Sequence, residues 1–347
     1  MVIKYLLCSS LLVSASRDRS TPTPSTTHKV RYGSLLEIVS TDDIVCIPIV
    51  ADPDAIASAL ALKRLCWRKV KKTIICRVNA IKRSDNLAMT RDLKITVPYI
   101  TKVNTSEVTK WAMVDSQPHH HKSLNHIDFS IIIDHHSPDS LLKVPFKDIC
   151  DEYGAVSSIM TEYLKAADVT PSRKLATALF YGIKTDTDNF TRTSTSADVN
   201  AFRYLYPHVN INIIKKIESS EINKKNVAAF RKAFEELQFI GDTAYIHMGE
   251  VKDADALVIL ADFFMKMAEA TWCIVSGTYG KKLIIILRNV GFRLDAGKVA
   301  KRLFGELGSA GGHKSAARAE IPISALQEDT ENLSKISEYV ADIIKKR

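Results

Sequence analysis

The chain has 347 residues, 46% hydrophobic and 25% charged, with a formal net charge of +9. That length allows two separately packed cores, the composition is ordinary for a soluble globular protein, and no apolar run approaches the ~20 residues that a membrane-spanning helix needs. The six cysteines form no CxxC pair and no even framework, which fits small buried thiols in a reducing compartment. The basic excess suits a phosphate-bearing partner, although it is spread along the chain, with local clusters at Lys63-Arg64 and Arg68–Lys72.

Residues 1–33 are rich in Ser, Thr and Pro and read as a disordered leader. Its apolar stretch YLLCSSLLVSA is broken by Ser9 and Ser10, so a secretory signal is the lesser reading. DIVCIPIV (43–50) is a continuous apolar run, the pattern of a buried parallel strand. AIASALALKRLCWRKV (55–70) has helix-forming composition with a basic end, and TIICRV (73–78), KWAMVDS (110–116) and FSIIID (129–134) read as further buried strands. Helices follow at 155–167, 174–183 and 196–206. This alternation predicts a doubly wound, mostly parallel α/β sheet over residues 34–208, whose ligands gather outside the carboxyl ends of the strands. Residues 209–236, largely INIIKKIESSEINKKNVAAFRKAFEEL, read as a charged helical connector. A smaller α/β domain is expected over 237–347, with strands in QFIGDTAYIHM, TWCIVSGTY and KLIIILR, a helix in ADALVILADFFMKMA, and AGKVAKRLFGEL leading to a glycine-rich turn, GSAGGHKSAARAEI. Trp67, Trp111 and Trp272 lie in or beside apolar runs and read as core.

The expected strand ends are acidic. The first runs into Asp52 and Asp54, the third into Asp115, and the fourth into Asp134-His135-His136; the helix 174–183 runs into Asp186 and Asp188. A parallel sheet brings these groups to one edge, where carboxylates alone would repel one another and raise each other's pKa values. Carboxylates with one or two imidazoles suit Mn²⁺ or Mg²⁺ better than a thiolate-type zinc site, and this many acids fits a two-metal phosphoryl hydrolase. Asp188 and Asp139 read as turn or cap acids.

The segments DPDAIASALAL (52–62), VDS (114–116), DHH (134–136) and GIKTDTDNF (182–190), followed by GSAGGHKSAARAEI (308–321), occur in one order. In that order they resemble the DHH family of phosphoesterases with its C-terminal DHH-associated domain, oligoribonuclease/pAp-phosphatases in particular. The resemblance implies a cytoplasmic enzyme with two Mn²⁺ ions, Mg²⁺ or Co²⁺ serving as alternatives. Asp52 would ligate the first metal and Asp54 the second, Asp115 would bridge both, and His135 and Asp186 would complete the ligands of the second metal. His136 would meet the substrate phosphate or the leaving group, with Asp134 orienting its neighbouring histidine. Arg288, Gly311, Gly312 and His313 would hold the distal part of a short oligonucleotide or nucleotide in a cleft between the domains. The hydrolysis implied is a two-metal hydroxide attack on oligoribonucleotides or pAp; a homodimer is compatible with it, and no membrane partner is expected. Rival readings are a cyclic-dinucleotide phosphodiesterase and a degenerate, non-catalytic nucleotide-binding or regulatory protein. A pyrophosphatase fits less well, because GGH and the clamp arginine belong to the nucleotide-cleaving branch.

Two departures stand out. The family pattern HxxPDxD reads here Pro48-Ile49-Val50-Ala51-Asp52-Pro53-Asp54, so the first metal lacks an imidazole. His119-His120-His121 is a candidate source of a substitute, against the plainer reading of a solvated loop. Arg318 stands where the family signature ends in glycine.

Overall fold

The structure, a computed structural model, describes residues 24–347 apart from 140, 193, 221–223, 291–293, 327–332 and 346. The chain runs α1 (Pro24–Glu37), β1 (Ile44–Ile49), α2 (Pro53–Leu65), β2 (Lys72–Arg77), α3 (Ser84–Asp92), β3 (Lys110–Val114), β4 (Ile131–Asp134) and β5 (Phe146–Ile149). The helices α4 (Val156–Ala166), α5 (Arg173–Asp186), α6 (Ser196–Leu205), α7 (Ile211–Glu218) and α8 (Val227–Glu235) follow. The remainder is β6 (Gln238–Ile240), β7 (Thr243–Glu250), α9 (Asp255–Phe264), β8 (Trp272–Tyr279), β9 (Lys282–Asn289), α10 (Ala296–Phe304), β10 (Ser309–Gly312), β11 (Ala316–Pro322) and α11 (Leu333–Lys345).

The first sheet has the order β2-β1-β3-β4-β5, and every pairing is parallel. All its carboxyl ends therefore share one edge. From β1 the chain steps outward to β2, then returns past β1 to β3, so the gap between β1 and β3 is the switch point at which such sheets bind ligands. Pro48 lies at this gap. It stays opposite Cys76 of β2, but the pairing of β1 with β3 ends at Cys46–Trp111. Proline donates no backbone hydrogen bond.

β1 and β4 are buried along their whole length, as their unbroken apolar runs predict. β5 escapes a sequence reading because FKDI is a short edge strand that buries alternate residues only. Residues 24–33, expected to belong to an unpacked leader, instead form most of α1: Leu35 is fully buried and Arg31 Nη1 lies 2.5 Å from Asp148 Oδ1 of β5. Residues 1–23 lie outside the described residues. The connector separates into α7 and α8, which present apolar residues such as Ile214, Ile217, Phe230 and Ala233 to the cores. Trp67 is also a correction. The helix ends at Leu65, not at residue 70, and Trp67 is 56% exposed, with the guanidinium groups of Arg64 and Arg68 4.8 and 4.2 Å from its ring centre. Trp272 is buried and Trp111 packs partly buried against a small apolar cluster.

The second sheet has the order β10-β11-β9-β8-β7-β6 and is antiparallel except for the pair β7–β8. α9 and α8 pack on one face, α10 and α11 on the other, giving two apolar layers around Phe264 and Phe304. QFIGDTAYIHM is a hairpin rather than one strand, turning at Gly241 with φ +62°. The glycine-rich stretch is likewise a hairpin, β10–β11, rather than a turn alone. No helix of the described residues is long and apolar enough to cross a membrane.

Candidate metal centre

Asp52 is the N-cap of α2, its Oδ1 accepting from the Ala55 N–H at 2.9 Å, with Pro53 at the first helical position. Asp54 lies in the first turn with no exposed surface. Its Oδ2 accepts from Val156 N and its Oδ1 from Ser157 N, both at 2.7 Å, so a carboxylate of α2 caps α4. Gly182 of α5 makes this approach possible: a Cβ there would stand 2.5 Å from Ser157 Oγ and 3.2 Å from Asp54 Oδ1.

Asp115 follows β3 with φ +57°, an uncommon conformation for a residue with a side chain and one that gathers at functional sites. His135 follows β4. Its Nδ1 lies 3.1 Å from the Tyr153 carbonyl, which can only accept, so Nδ1 carries the proton and Nε2 of the neutral ring is a bare lone pair. That Nε2 lies 3.3 Å from Asp115 Oδ1 and 3.1 Å from Asp186 Oδ2. The distances are those of ion pairs, but His135 Nε2 and Asp115 Oδ1 are both buried without a hydrogen bond. Ligand atoms of Asp54, Asp115, His135 and Asp186 all fall within 4.8 Å of one another.

The electrostatics agree with the geometry. Burial, then the neighbouring Asp186, raises the Asp52 carboxyl to about 7 and that of Asp54 to about 6. Burial together with Asp52 and Asp54 drives Asp115 well above the carboxylate range. Burial opposes charge on His135, yet Asp115 and Asp186 push its pKa up to about 12. Without a cation, a His135 imidazolium supplies positive charge to this knot of acids. Hard oxygens, one imidazole lone pair and a carbonyl fixing the far nitrogen are the donor set of a divalent cation.

Beside this cluster, His136 Nδ1 lies 2.8 Å from Asp134 Oδ1. Asp134 is fully buried and its Oδ2 accepts from Gln117 Nε2 at 2.7 Å. Burial would raise the Asp134 carboxyl, but the bonds from His136 and Gln117 hold it below its usual range. Gln117 also donates to the Ser137 carbonyl and accepts from Asp139 N, a fully buried hub that no sequence motif marks. Asp139 caps a turn through Leu141 N, and Asp188 is exposed in a turn, 3.8 Å from Arg192.

In the second domain, His313 belongs to none of the acid–imidazole groups found among the described residues. Arg288 Nε lies 2.6 Å from Asp262 Oδ1, and its Nη1 donates to the Leu287 carbonyl. Gly312, with φ +154°, has the backbone of Ala316 and Ala317 where a Cβ would sit, while Gly311 has open space and His313 is exposed. Arg318 pairs with Glu320 on the surface, its Nη2 2.9 Å from Oε1. The two domains meet at Lys82, 3.8 Å from Asp253 and 3.7 Å from Asp255.

Residues 44–183 match the N-terminal domain of the DHH family, and residues 241–346 match the DHHA1 domain. An uncharacterized protein of Methanocaldococcus jannaschii is 35% identical over 290 residues, 83% of this chain and 60% of its own length. The chain thus spans less than two thirds of that relative. An exopolyphosphatase-related protein from Bacteroides fragilis superposes with a TM-score of 0.68 at 16% identity, over 92% of this chain and 97% of the other. RecJ from Thermus thermophilus in complex with Mn²⁺ superposes with a TM-score of 0.51 at 12% identity, over 92% of this chain and 55% of that one. At these identities the structural likeness speaks to the fold.

Proposed function

We propose, from the premise that the chain belongs to the DHH family, that it is a divalent-metal-dependent phosphoesterase acting on short nucleotide substrates such as oligoribonucleotides or pAp. The observation that carries this is the buried Nε2 of His135, 3.3 Å from Asp115 and 3.1 Å from Asp186 with no hydrogen bond to satisfy it, where a divalent cation would replace the proton that these acids otherwise hold there. Phosphate-ester hydrolysis is the chemistry of the family, and Mn²⁺ is present in one protein of the same fold.

Asp54, Asp115, His135 and Asp186 would hold one ion. A second would rest on Asp52 and Asp115 with less support, because one Asp52 oxygen is committed to the Ala55 N–H and Pro48 offers no donor. Divalent ions there would supply charge neutralisation at the phosphate and activation of water. His136, tied to the Asp134 carboxylate, is set to bind a phosphate oxygen and, as imidazolium, to hand a proton to the leaving oxygen. In the second domain Gly311 and His313 are open to a ligand, Gly312 shapes their hairpin, and Arg288 would clamp a phosphate on exchanging it for Asp262. The substrate would lie between the domains.

The weakly furnished first position favours one second reading, a non-catalytic nucleotide-binding protein. Hydrolysis of a dinucleotide and of pAp with added Mn²⁺, wild type against Asp115→Ala, separates the two. Mn²⁺-dependent release of mononucleotide or phosphate by wild type alone is expected; its absence from wild type would overturn the enzyme.

A further inference from the structure

We infer that His120 is no substitute for the imidazole missing at Pro48, but a hydrogen-bond donor for the substrate phosphate next to the reacting one, set in place with His136 by Gln117. This rests on the phosphoesterase reading and deepens it.

Ligand atoms of His120, Asp134 and His136 fall within 4.8 Å of one another, but the tautomer of His120 argues against the ligand role. The main-chain N–H of Gln117 lies 3.2 Å from His120 Nδ1, and a main-chain N–H can only donate. Nδ1 is therefore the acceptor, and the neutral ring carries its proton on Nε2. In a metal-ligating histidine the far nitrogen ordinarily donates, leaving the other free for the ion, as Nδ1 of His135 does to Tyr153. His120 is wired in the opposite sense. The Ser116 hydroxyl, 3.4 Å from the same Nδ1, can donate to it as well.

Position supports the donor role. The ring of His136 lies 4.6 Å from that of His135, and the ring of His120 lies 5.2 Å from that of His136. The three imidazoles step outward from the acid cluster. A phosphate held at His135 meets His136 first, and a neighbouring phosphate of the same substrate comes within range of His120, which is exposed. The other two members of the triplet are spent elsewhere: His119 lies 3.6 Å from Asp139, and His121 Nδ1 accepts from Ser123 N.

Gln117 is the positioning residue of the pair. Its backbone orients His120, and its side chain holds Asp134, which holds His136. Among the described residues no carboxylate is hydrogen-bonded to His120, which leaves its N–H for an anion; Asp134, grouped with it, is bonded to His136 and Gln117.

The test compares wild type, His120→Ala and His120→Gln on a dinucleotide, which offers a further phosphate-bearing group, and on bis(p-nitrophenyl) phosphate, which has one phosphorus. Loss of one hydrogen bond to an anion should raise KM for the dinucleotide about tenfold in His120→Ala. The His120→Gln variant, which keeps an N–H donor, should recover part of it. Turnover of the single-phosphate ester and the number of Mn²⁺ ions bound per chain should stay as in wild type. Loss of a bound Mn²⁺, or equal loss on both substrates, would overturn the proposal. A wild type that hydrolyses neither ester would fail the enzyme reading alone. Calorimetric binding of pAp then decides for His120, and equal affinity in wild type and His120→Ala would refute it. Unchanged thermal unfolding of the variants shows that both fold.

Discussion

The strand ends of the first domain and the β10–β11 hairpin of the second were both expected to bind, and they handle polar groups in opposite ways. At the strand ends, Asp115 Oδ1 and His135 Nε2 are buried and unsatisfied, and Asp115 has φ +57°. In the second domain, Arg288 is matched by Asp262, Arg318 by Glu320, and Gly312 is filled from behind by the Ala316–Ala317 backbone. Buried polar groups without partners cost stability, so a site that keeps them is built around something still to arrive. In the second domain the charged groups are paired, so Arg288 must exchange Asp262 before it can bind an anion.

The comparison is broken most easily at Asp115. Asp115→Ala removes a ligand from every acid–imidazole grouping that contains His135, and should lower Mn²⁺-dependent hydrolysis by more than about a hundredfold, since loss of an outer partner alone costs 10–100-fold. Asp134→Asn leaves the ligands in place and withdraws only the carboxylate behind His136; a fall in kcat of about 10–100-fold with unchanged Mn²⁺ content is expected. Gly312→Ala tests the opposite claim, that this glycine is structural. It should destabilise the chain by about 1–3 kcal/mol in denaturant unfolding and leave Mn²⁺ binding untouched. The smallest effect is that of pH on the metal-free chain. Asp52 and Asp54 have raised folded pKa values, so their protonated forms stabilise the fold at low pH, and that contribution is lost as pH rises through about 6 to 7; Asp115, also raised, acts in the same direction. His135, raised to about 12, acts in the same direction above its ordinary pKa of 6.5. Cations compete with these protons, so the gain in Tm on adding Mn²⁺ should be larger at pH 8 than at pH 5.5. Equal gains would contradict the crowding of acids.

Much of the first domain is legible in the sequence because β1 and β4 are buried throughout, so their apolar runs are unbroken. α1 is not, since its contribution rests on a few residues such as Leu35 and on one ion pair with Asp148, 117 positions away. Trp67 misleads for a physical reason: two arginines cover its ring, so it stays exposed at the end of an apolar helix. At the site, Asp54, Asp115, His135 and Asp186 stand out as acids and an imidazole at element ends. The other use of Asp54, capping α4, depends on Val156 and Ser157 some hundred residues later. Gln117 is invisible because a buried glutamine is defined by its neighbours and by no pattern. The restraint on Arg288 is equally hidden, because Asp262 lies on α9 and only the fold brings it there.

Equilibrium Mn²⁺ binding to the intact chain, alongside His135→Ala, tests the central claim most directly. At least one tightly bound ion per wild-type chain, lost in His135→Ala while the secondary structure is retained, is the predicted result. A wild-type chain that binds no Mn²⁺, or a variant that binds it as tightly, would contradict the account.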